Sequence, residues 1–542
     1  MPESVPFAET IPAVLQRFTS LGGEAATARY DAFEADLRML LGAGPDHVAD
    51  PAAWAGAIRH GHAYYAWCWD ARAAGLAQAV TRAIETWAAA PRPHIAALLE
   101  LSDFLFFIGW CFEASNRGQC RIVLPGMRAA AGGFARQARA VPGEVASRPS
   151  TYGLGFARRA GAVPGPRRGP PRIALLCMFA STGNPMTLGP RVLMEALTRL
   201  PDQYAVTLVA WRFADDAFLE SMKARGVSVV RTSGDTPADQ LAQAEAALDA
   251  VAPDILVTDM NNAVPLAIVA RRAAPAQIFL SSGLPAFPAP GLDAVFDSFG
   301  IGAAHTGWGG ARLLPFRPPW NLPALSPPED PDMLAAERVA LPAGRPLFGC
   351  YGRLVKLTPE YLRAVERILH AVPDAHFVTG GTGDPAPILA FAANSSAGAR
   401  IHVQARFVPG HAWGRLLDLF LDTWPLTGGE SVRETMAKGC PVVALHSDEM
   451  PALDLQRDPA LLARDWDGFV STAAMLLRDP QARDAAGRSA RAFATRMADP
   501  APFHRDIEQG VAAVMRDARR RRSPLRRAAA ALGISRARMP AP

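Results

Sequence analysis

Apolar residues recur every three or four positions through the first 140 residues, as at Phe33 and Leu37. This spacing places them on one face of a helix. The most apolar window, residues 95–114, is interrupted by three carboxylates, which is typical of a buried helix rather than a membrane span. The pattern therefore predicts an all-helical domain over residues 1–140, and no integral membrane segment is expected.

From Ile173 the pattern changes to short apolar runs, such as Ile255–Thr258, that alternate with helix-forming segments. The same alternation starts again at Leu347. Runs without polar alternation are expected of strands that are covered on both faces, as in parallel sheets. The sequence thus predicts an α/β fold with two doubly wound, Rossmann-like domains over residues 173–311 and 347–515.

Two proline-rich segments, residues 141–172 and 312–346, are predicted to be linkers between these parts. Residues 516–542 form a basic tail with nine arginines against Asp517, a balance of +8. The whole chain carries +5, so the remainder is about −3 and gives no general argument for binding a polyanion. We interpret the tail as a solvated segment, with salt-sensitive contact to an anionic membrane or to nucleic acid as the alternative. For the chain as a whole, nucleic acid is not expected as a partner.

The six cysteines show no CxxC or other metal-ligand spacing, and they are expected to be reduced and mostly buried. No metal or other cofactor is predicted. The first ten residues contain two glutamates and no basic residue, unlike a secretory signal. The expected location is therefore cytoplasmic.

Polar loops follow several strands of the first predicted sheet. Because ligands bind beyond the carboxyl ends of the strands in doubly wound sheets, these loops together predict a crevice. Turn formation or helix capping explains each residue equally well when it is taken alone. The candidates are Ser181, Thr182, Gly183 and Asn184 after the first strand, Asp259, Asn261 and Asn262 after a later one, and Ser281, Ser282 and Gly283 after the next.

Lys356 follows the first strand of the second predicted sheet and lies just before a helix that starts with Thr358 and Pro359. Threonine is a favoured N-cap, and proline suits the first helical position. A lysine beside the positive end of a helix is unfavourable for the isolated helix but suits a diphosphate. A solvated lysine is the alternative.

A second possible anion site lies between two buried strands, where Thr427, Gly428 and Gly429 form a turn before a helix over residues 430–438. Free N–H groups and the helix dipole attract phosphate at such a place. Glu434, one turn into the helix, could accept hydrogen bonds from a ribose. A purely structural turn is the alternative, because short glycine turns are common in α/β proteins.

The order and spacing of these motifs resemble a known family. The Lys-Leu-Thr-Pro element at Lys356, the segment 400–411, the Leu-Asp-Leu-Phe-Leu-Asp-Thr strand and the turn at 427–434 look like the donor half of certain nucleotide-sugar glycosyltransferases. These are O-GlcNAc transferase and the bacterial cytoplasmic N-glycosyltransferases. The resemblance covers residues 345–450 and implies a GT-B fold, with the helical domain placed as in the N-glycosyltransferases.

The resemblance also implies roles for particular residues. Lys356 would contact the donor diphosphate, and Glu434, where the family usually has aspartate, would bind the uridine ribose. His411 matches a donor-side histidine, and Ser431 could add a hydroxyl to the phosphate site. The loop at 281–288 departs from the family, because Leu284 stands where a histidine is expected.

The function that follows is a metal-independent glycosyltransferase that moves a sugar from a UDP-sugar to a protein, at Asn or Ser/Thr, or to a small molecule. UDP-sugar is the co-substrate. Asp259 and His305 are the candidates for a general base. The alternatives are a nucleotide-sugar-binding scaffold without activity, which the missing histidine favours, and an epimerase of the same fold.

Overall fold

A computed structural model describes residues 30–68, 75–139, 144–149, 155–159, 169–182, 188–199, 202–259, 262–281, 289, 291–298, 300, 311–450 and 457–522. Before residue 140 the described chain is helical, as predicted. Its helices are Tyr30–Gly42 (α1), Pro51–Cys68 (α2), Ala77–Ala89 (α3), Ile95–Phe112 (α4) and Asn116–Arg139 (α5).

Two fully buried tryptophans organise the packing of these helices. The rings of Trp54 and Trp87 stack with their centres 4.4 Å apart. Each indole N–H donates to a backbone carbonyl oxygen near the end of α1, that of Leu40 at 3.1 Å and that of Ala43 at 3.0 Å. A buried indole needs such a partner, so these bonds fix how α2 and α3 lie against the end of α1.

The first α/β part begins after a two-stranded antiparallel ribbon, which lies in the segment predicted to be the first linker. The ribbon consists of Glu144–Pro149 (β1) and Gly155–Arg159 (β2). The elements that follow are Arg172–Ala180 (β3), Leu188–Thr198 (α6), Ala205–Ala214 (β4), Asp216–Lys223 (α7), Ser228–Arg231 (β5), Pro237–Val251 (α8), Ile255–Thr258 (β6), Ala263–Ala270 (α9), Ala276–Ser281 (β7), Ala294–Asp297 (β8) and Arg312–Pro315 (β9).

These strands form one parallel sheet with the order β5-β4-β3-β6-β7-β8-β9. Strand β9 pairs with β8 although it lies in the segment predicted to be the second linker. The sheet therefore extends further along the chain than the pattern indicates. The prediction missed β9 because three of its four side chains are not buried and it ends in proline.

The second α/β part repeats this plan. Its elements are Leu322–Leu325 (α10), Pro331–Val339 (α11), Leu347–Tyr351 (β10), Pro359–Ala371 (α12), His376–Gly380 (β11), Ala386–Asn394 (α13), Ile401–Gln404 (β12), Gly410–Leu416 (α14), Leu419–Leu421 (β13), Glu430–Ala437 (α15), Val442–Leu445 (β14), Leu462–Ala463 (β15), Trp466–Arg478 (α16), Pro480–Met497 (α17) and Ala501–Arg522 (α18). The sheet is parallel, in the order β12-β11-β10-β13-β14-β15. Two doubly wound sheets confirm the predicted fold class.

The last helix, α18, packs on the first sheet although it follows the second in sequence. Its apolar residues Phe503, Ile507 and Val511 belong to one hydrophobic cluster with the inner residues of that sheet. Arg312 of β9 also pairs with Asp517 at 2.8 Å. Residues 516–522, predicted to belong to a solvated tail, continue this helix, and the rest of the tail lies outside the described residues.

The helical domain contacts both α/β parts. The Asp103 carboxylate in α4 accepts a hydrogen bond of 3.1 Å from the backbone N–H of Ala263, at the start of α9. In the second part, the Glu449 carboxylate accepts a hydrogen bond of 3.2 Å from the backbone N–H of Arg117, at the start of α5. Leu426 and Met450, from loops of the second sheet, are fully buried in a hydrophobic cluster that the helical domain shares with the first sheet. Among the helices of the described ranges, none combines the length and apolar character that crossing a bilayer requires.

Candidate functional site

The strand order of the second sheet reverses between β10 and β13, which pair in parallel. In a doubly wound sheet such a switch point leaves a crevice beyond the carboxyl ends of the two strands. The loop after β10 carries Lys356, and the loop after β13 carries Gly428 and Gly429. The two stretches that the sequence singled out separately therefore lie side by side.

Lys356 contacts the glycine turn directly. Its Nζ atom donates a hydrogen bond of 2.6 Å to the carbonyl oxygen of Thr427. Burial of the ammonium group, together with the nearby Arg353 charge, lowers the pKa of Lys356 to about 7, although Asp422 acts in the opposite direction. Lys356 is therefore a partly buried, hydrogen-bonded lysine rather than a freely solvated one. A poorly hydrated ammonium group on an anion site gains more from a bound anion than one in water does.

The Asp422 carboxylate stabilises this turn through hydrogen bonds. Asp422 accepts from the Thr427 hydroxyl at 2.8 and 2.9 Å and from the Gly428 N–H at 2.6 Å. Arg457 donates to the same carboxylate from Nε at 3.0 Å and from Nη2 at 2.6 Å. Asp422 and Arg457 are both almost fully buried, with side chains 2% and 5% exposed.

Helix α15 begins at this turn without a side-chain cap. Its N-cap, Gly429, has φ +65° and ψ −112°, and a Cβ at this position would meet no atom within 4 Å. Glycine is required by the backbone conformation, and open space adjoins the helix start. The hydroxyl of Ser431 donates to the Gly428 carbonyl oxygen at 3.1 Å, so it supports the turn and can still accept a hydrogen bond.

Glu434 lies one turn further along α15 and is partly buried. The Tyr351 hydroxyl, at the end of β10, donates to its Oε2 atom at 3.3 Å. Burial raises the pKa of Glu434, and the Lys438 charge offsets part of this effect. A Cβ added to Gly410 would lie 2.4 Å from Glu434 Oε2 and 2.8 Å from a ring carbon of Tyr351, so a larger residue at position 410 would displace these side chains.

His411 follows Gly410 on α14, which packs beside α15. Its Nδ1 atom is buried and has no hydrogen-bond partner. Burial lowers the pKa of His411, and the charges of Lys438 and Arg415 lower it further. A neutral imidazole with an unsatisfied ring nitrogen can hydrogen-bond a ligand group.

Lys438 is a further basic group at this site that the sequence reasoning missed. Its Nζ atom donates to the carbonyl oxygens of Leu325 at 2.6 Å and Glu434 at 3.1 Å. Burial lowers the pKa of Lys438 to about 8. The chain has only three lysines among 56 basic residues, and two of them lie here, so their rarity was a signal.

Asp259, a candidate for the general base, lies at the carboxyl end of β6 in the first sheet and is 3% exposed. The Met178 N–H donates to both of its oxygens, at 3.2 and 3.3 Å. Burial raises the pKa of Asp259 to about 7. Nearby on the same sheet edge, the Asn262 Oδ1 and Ser281 Oγ atoms are buried without hydrogen-bond partners.

The other two predicted site residues, Asn184 and His305, lie outside the described residues, as do Gly183, Asn261, Ser282 and Gly283. The structure thus brings together Lys356, the Gly428–Gly429 turn, Ser431, Glu434 and His411. Within the described part of the chain, no group of three or more His, Cys, Asp or Glu side chains could hold a metal ion.

Searches against protein-family models and against curated proteins found no match to this chain. Among solved structures, the chain is similar to a mutant of the O-GlcNAc transferase of Thermobaculum terrenum, with 20% identity and a TM-score of 0.53 over 95% of this chain and 99% of that one. A glycosyltransferase from Rickettsia africae aligns with 10% identity and a TM-score of 0.46 over 64% of this chain and 98% of its own.

The HepE protein of Anabaena, solved with UDP and glucose, aligns with 14% identity and a TM-score of 0.43 over 63% of this chain and 99% of its own. The similarity to the transferase spans nearly the whole of both chains, including the helical domain. The fold is therefore that of a GT-B glycosyltransferase resembling O-GlcNAc transferase.

Proposed function

We propose that this chain is a glycosyltransferase that transfers a sugar from a UDP-sugar to an acceptor, without a metal ion. The observation that carries the proposal is the 2.6 Å contact between Lys356 Nζ and the Thr427 carbonyl oxygen. It joins a lysine with a lowered pKa to a glycine turn at a helix start, at the switch point of a doubly wound sheet. The similarity in fold to O-GlcNAc transferase supports the same function.

The arrangement suits UDP as a leaving group. As the bond from the sugar to the diphosphate breaks, negative charge grows on the phosphate oxygens. Lys356 and the free N–H groups at the start of α15 would stabilise that charge, and one preorganised donor of this kind is worth ~3 kcal/mol. Glu434 would accept hydrogen bonds from the ribose hydroxyls, and His411, on the neighbouring helix, would bind the nucleotide beside it.

On the acceptor side we propose Asp259 or His305 as the general base. A pKa of about 7 suits a base at neutral pH. We further propose that the acceptor is a protein, at Asn or Ser/Thr side chains, with a small molecule as the alternative. The transferred sugar would be a hexose or an N-acetylhexosamine.

A scaffold that binds nucleotide sugars without transferring them is the second candidate. The burial of Asp259 favours it, because a carboxylate that is only 3% exposed and is bonded to the Met178 N–H is poorly accessible to an acceptor hydroxyl or amide. In this case the crevice of the second sheet would be intact and the first sheet would lack a base.

The test is incubation of the full chain with a panel of labelled nucleotide sugars and a lysate of the source organism. We expect one UDP-sugar to be consumed and its label to appear in protein. Lys356→Met should lower turnover at least about 100-fold. The matched control is Lys223→Met, because Lys223 lies on the surface of the other α/β part and pairs with Glu220.

Undiminished turnover by a folded Lys356→Met variant would contradict the phosphate role. UDP binding in calorimetry without any transfer would identify the scaffold. Release of UDP and an altered free sugar, without acceptor, would identify the epimerase.

A further inference from the structure

We propose that Asp422, held by Arg457, is the positioning residue of the diphosphate site, and that it fixes the turn Thr427–Gly429 in the conformation that binds the donor. The inference rests on the proposed function, because it assigns the support of that same site. It concerns two residues that hydrogen-bond the turn and each other.

Asp422 holds the turn through hydrogen bonds to two of its residues. Its Oδ1 atom accepts from the Thr427 hydroxyl and from the Gly428 N–H, and its Oδ2 atom accepts from the same hydroxyl. The Thr427 hydroxyl in turn accepts from the Gly429 N–H at 3.2 Å. One carboxylate therefore determines the orientation of three consecutive residues.

The negative charge of Asp422 lies close to the proposed anion site. A buried carboxylate at such a place would repel a diphosphate. Arg457 removes this conflict, because its Nε and Nη2 atoms both donate to Asp422 Oδ2. Four donor groups occupy the carboxylate, since the single Thr427 hydroxyl is shared between its two oxygens, and this leaves it little capacity to bind a ribose or a cation.

The turn that Asp422 stabilises also contacts Lys356. The turn that Asp422 holds presents the Thr427 carbonyl oxygen to Lys356 Nζ. The Asp422 charge also acts on Lys356 through space and favours its charged form. Asp422 thus fixes the carbonyl oxygen that positions Lys356 and favours the charged form of this lysine, which we assign to the donor diphosphate. The uncapped start of α15 stays free for the ligand.

The test uses the full chain and four variants. Thr427→Val removes the hydroxyl that Asp422 holds and keeps the shape of the side chain, whereas Thr427→Ser restores the hydroxyl. Asp422→Asn removes the charge. Thr379→Val is the matched control, because Thr379 is a fully buried threonine of β11 in the same sheet, away from the turn.

The first measurement needs no nucleotide. Trace acetylation with acetic anhydride, followed by mass spectrometry, gives the reactivity of each lysine as a function of pH, with exposed Lys223 as the internal reference. We expect the wild-type midpoint of Lys356 near pH 7. In Asp422→Asn it should move to lower pH, because the variant removes a charge that favours the ammonium group. In Thr427→Val it should also move to lower pH, because the turn would no longer hold the Thr427 carbonyl oxygen against Lys356 Nζ. Thr427→Ser and Thr379→Val should match the wild type.

The second measurement is the affinity for UDP by calorimetry. We expect Thr427→Val to bind about 10-fold to 100-fold more weakly and Thr427→Ser to bind within about 2-fold of the wild type, as for loss and rescue of hydrogen bonds to a charged group. A purely structural role would lower the melting temperature and leave the Lys356 midpoint unchanged.

An unchanged midpoint and unchanged UDP affinity in folded Thr427→Val would overturn the inference, even where Asp422→Asn fails to fold. If the wild type does not bind UDP, the proposed function fails instead. The lysine midpoints then decide the positioning role by themselves.

Discussion

The guanidinium carbon of Arg353 lies 4.8 Å from the centre of the Trp110 ring, and Arg353 Nη1 donates to the Trp110 carbonyl oxygen. Arg353 belongs to the loop after β10 that carries Lys356, whereas Trp110 lies near the end of α4 in the helical domain. In the neighbouring loop after β13, Leu426 is buried in a hydrophobic cluster that the helical domain shares with the first sheet. The helical domain thus contacts the loop after β10 directly.

The first prediction concerns this attachment. Trp110→Leu removes the ring face but keeps the backbone carbonyl, and it should lose the cation–π contact, which is worth about 0.5–2 kcal/mol. We expect faster hydrogen exchange in residues 352–358, measured by mass spectrometry, while β11 and β12 exchange as in the wild type. Trp110→Phe, which keeps a ring face, is the control. Equal exchange in wild type and Trp110→Leu would show that the contact does not hold the loop.

Local signals in the sequence predicted a large part of the fold. Thr358 and Pro359 start α12 as expected, with Tyr361 N–H donating to the threonine hydroxyl at 3.4 Å. The strand Ile255–Thr258 has the predicted bounds, since a run that is buried on both faces needs no periodicity to be visible. The sequence did not predict helix α9, because all of its residues are buried and it has no polar face to reveal a helical periodicity.

The sequence predicted only those site residues that belong to a recognisable local motif. Lys356 and the glycine turn were found separately, whereas their contact depends on the pairing of β10 with β13. Arg457 is 35 residues from Asp422 in sequence, and nothing near it indicates a partner. The burial of Asp259 likewise depends on elements that pack over the strand end.

The second prediction is that donor binding takes up a proton. Lys356 has a pKa of about 7 in the free protein, so at pH 8 it is mostly neutral, and a bound diphosphate favours the charged form. Calorimetry with a UDP-sugar at pH 8, in buffers of different ionisation enthalpy, should show uptake of close to one proton. At pH 6 the uptake should be much smaller, and above pH 7 the affinity should fall by up to about tenfold per pH unit.

The matched variant for this measurement is Lys356→Arg, because arginine stays charged over the whole range. It should bind the UDP-sugar with less proton uptake than the wild type, since only Lys438 remains to take up a proton, and with a weaker dependence on pH. The assignment to Lys356 fails if the uptake in this variant equals that of the wild type, or if the wild type shows none.

The third prediction is that Lys356 costs stability. Its pKa is about 7 in the folded state, below the usual value of 10.5, so the folded state binds fewer protons than the unfolded state between these pH values. The cost is fully present below pH 7 and is relieved as pH rises towards 10.5. Lys356→Met should therefore melt above the wild type at pH 6, and the difference should shrink by pH 9.

Scanning calorimetry at the two pH values measures this difference. Lys223→Met, a change at an exposed lysine, should show the same difference from the wild type at both. A Lys356→Met variant that melts below the wild type at pH 6 would mean that the hydrogen bond to Thr427 outweighs the burial of the charge.

The fourth prediction concerns Glu434 and the ribose. If this carboxylate accepts the ribose hydroxyls, the wild type should bind UDP about tenfold or more tightly than 2′,3′-dideoxyuridine diphosphate, as expected for a charged hydrogen bond. In Glu434→Gln the ratio should fall to about twofold, because the charge is gone while the shape is kept.

Glu430→Gln is the matched control, since Glu430 lies one turn earlier on α15 and pairs with Arg433. It should keep the wild-type ratio. Burial raises the pKa of Glu434, so the wild-type preference for UDP should also weaken as pH falls and the carboxylate becomes protonated. If Glu434→Gln retains the full preference, the ribose is bound elsewhere, and the nucleotide then lies in a different orientation along α15.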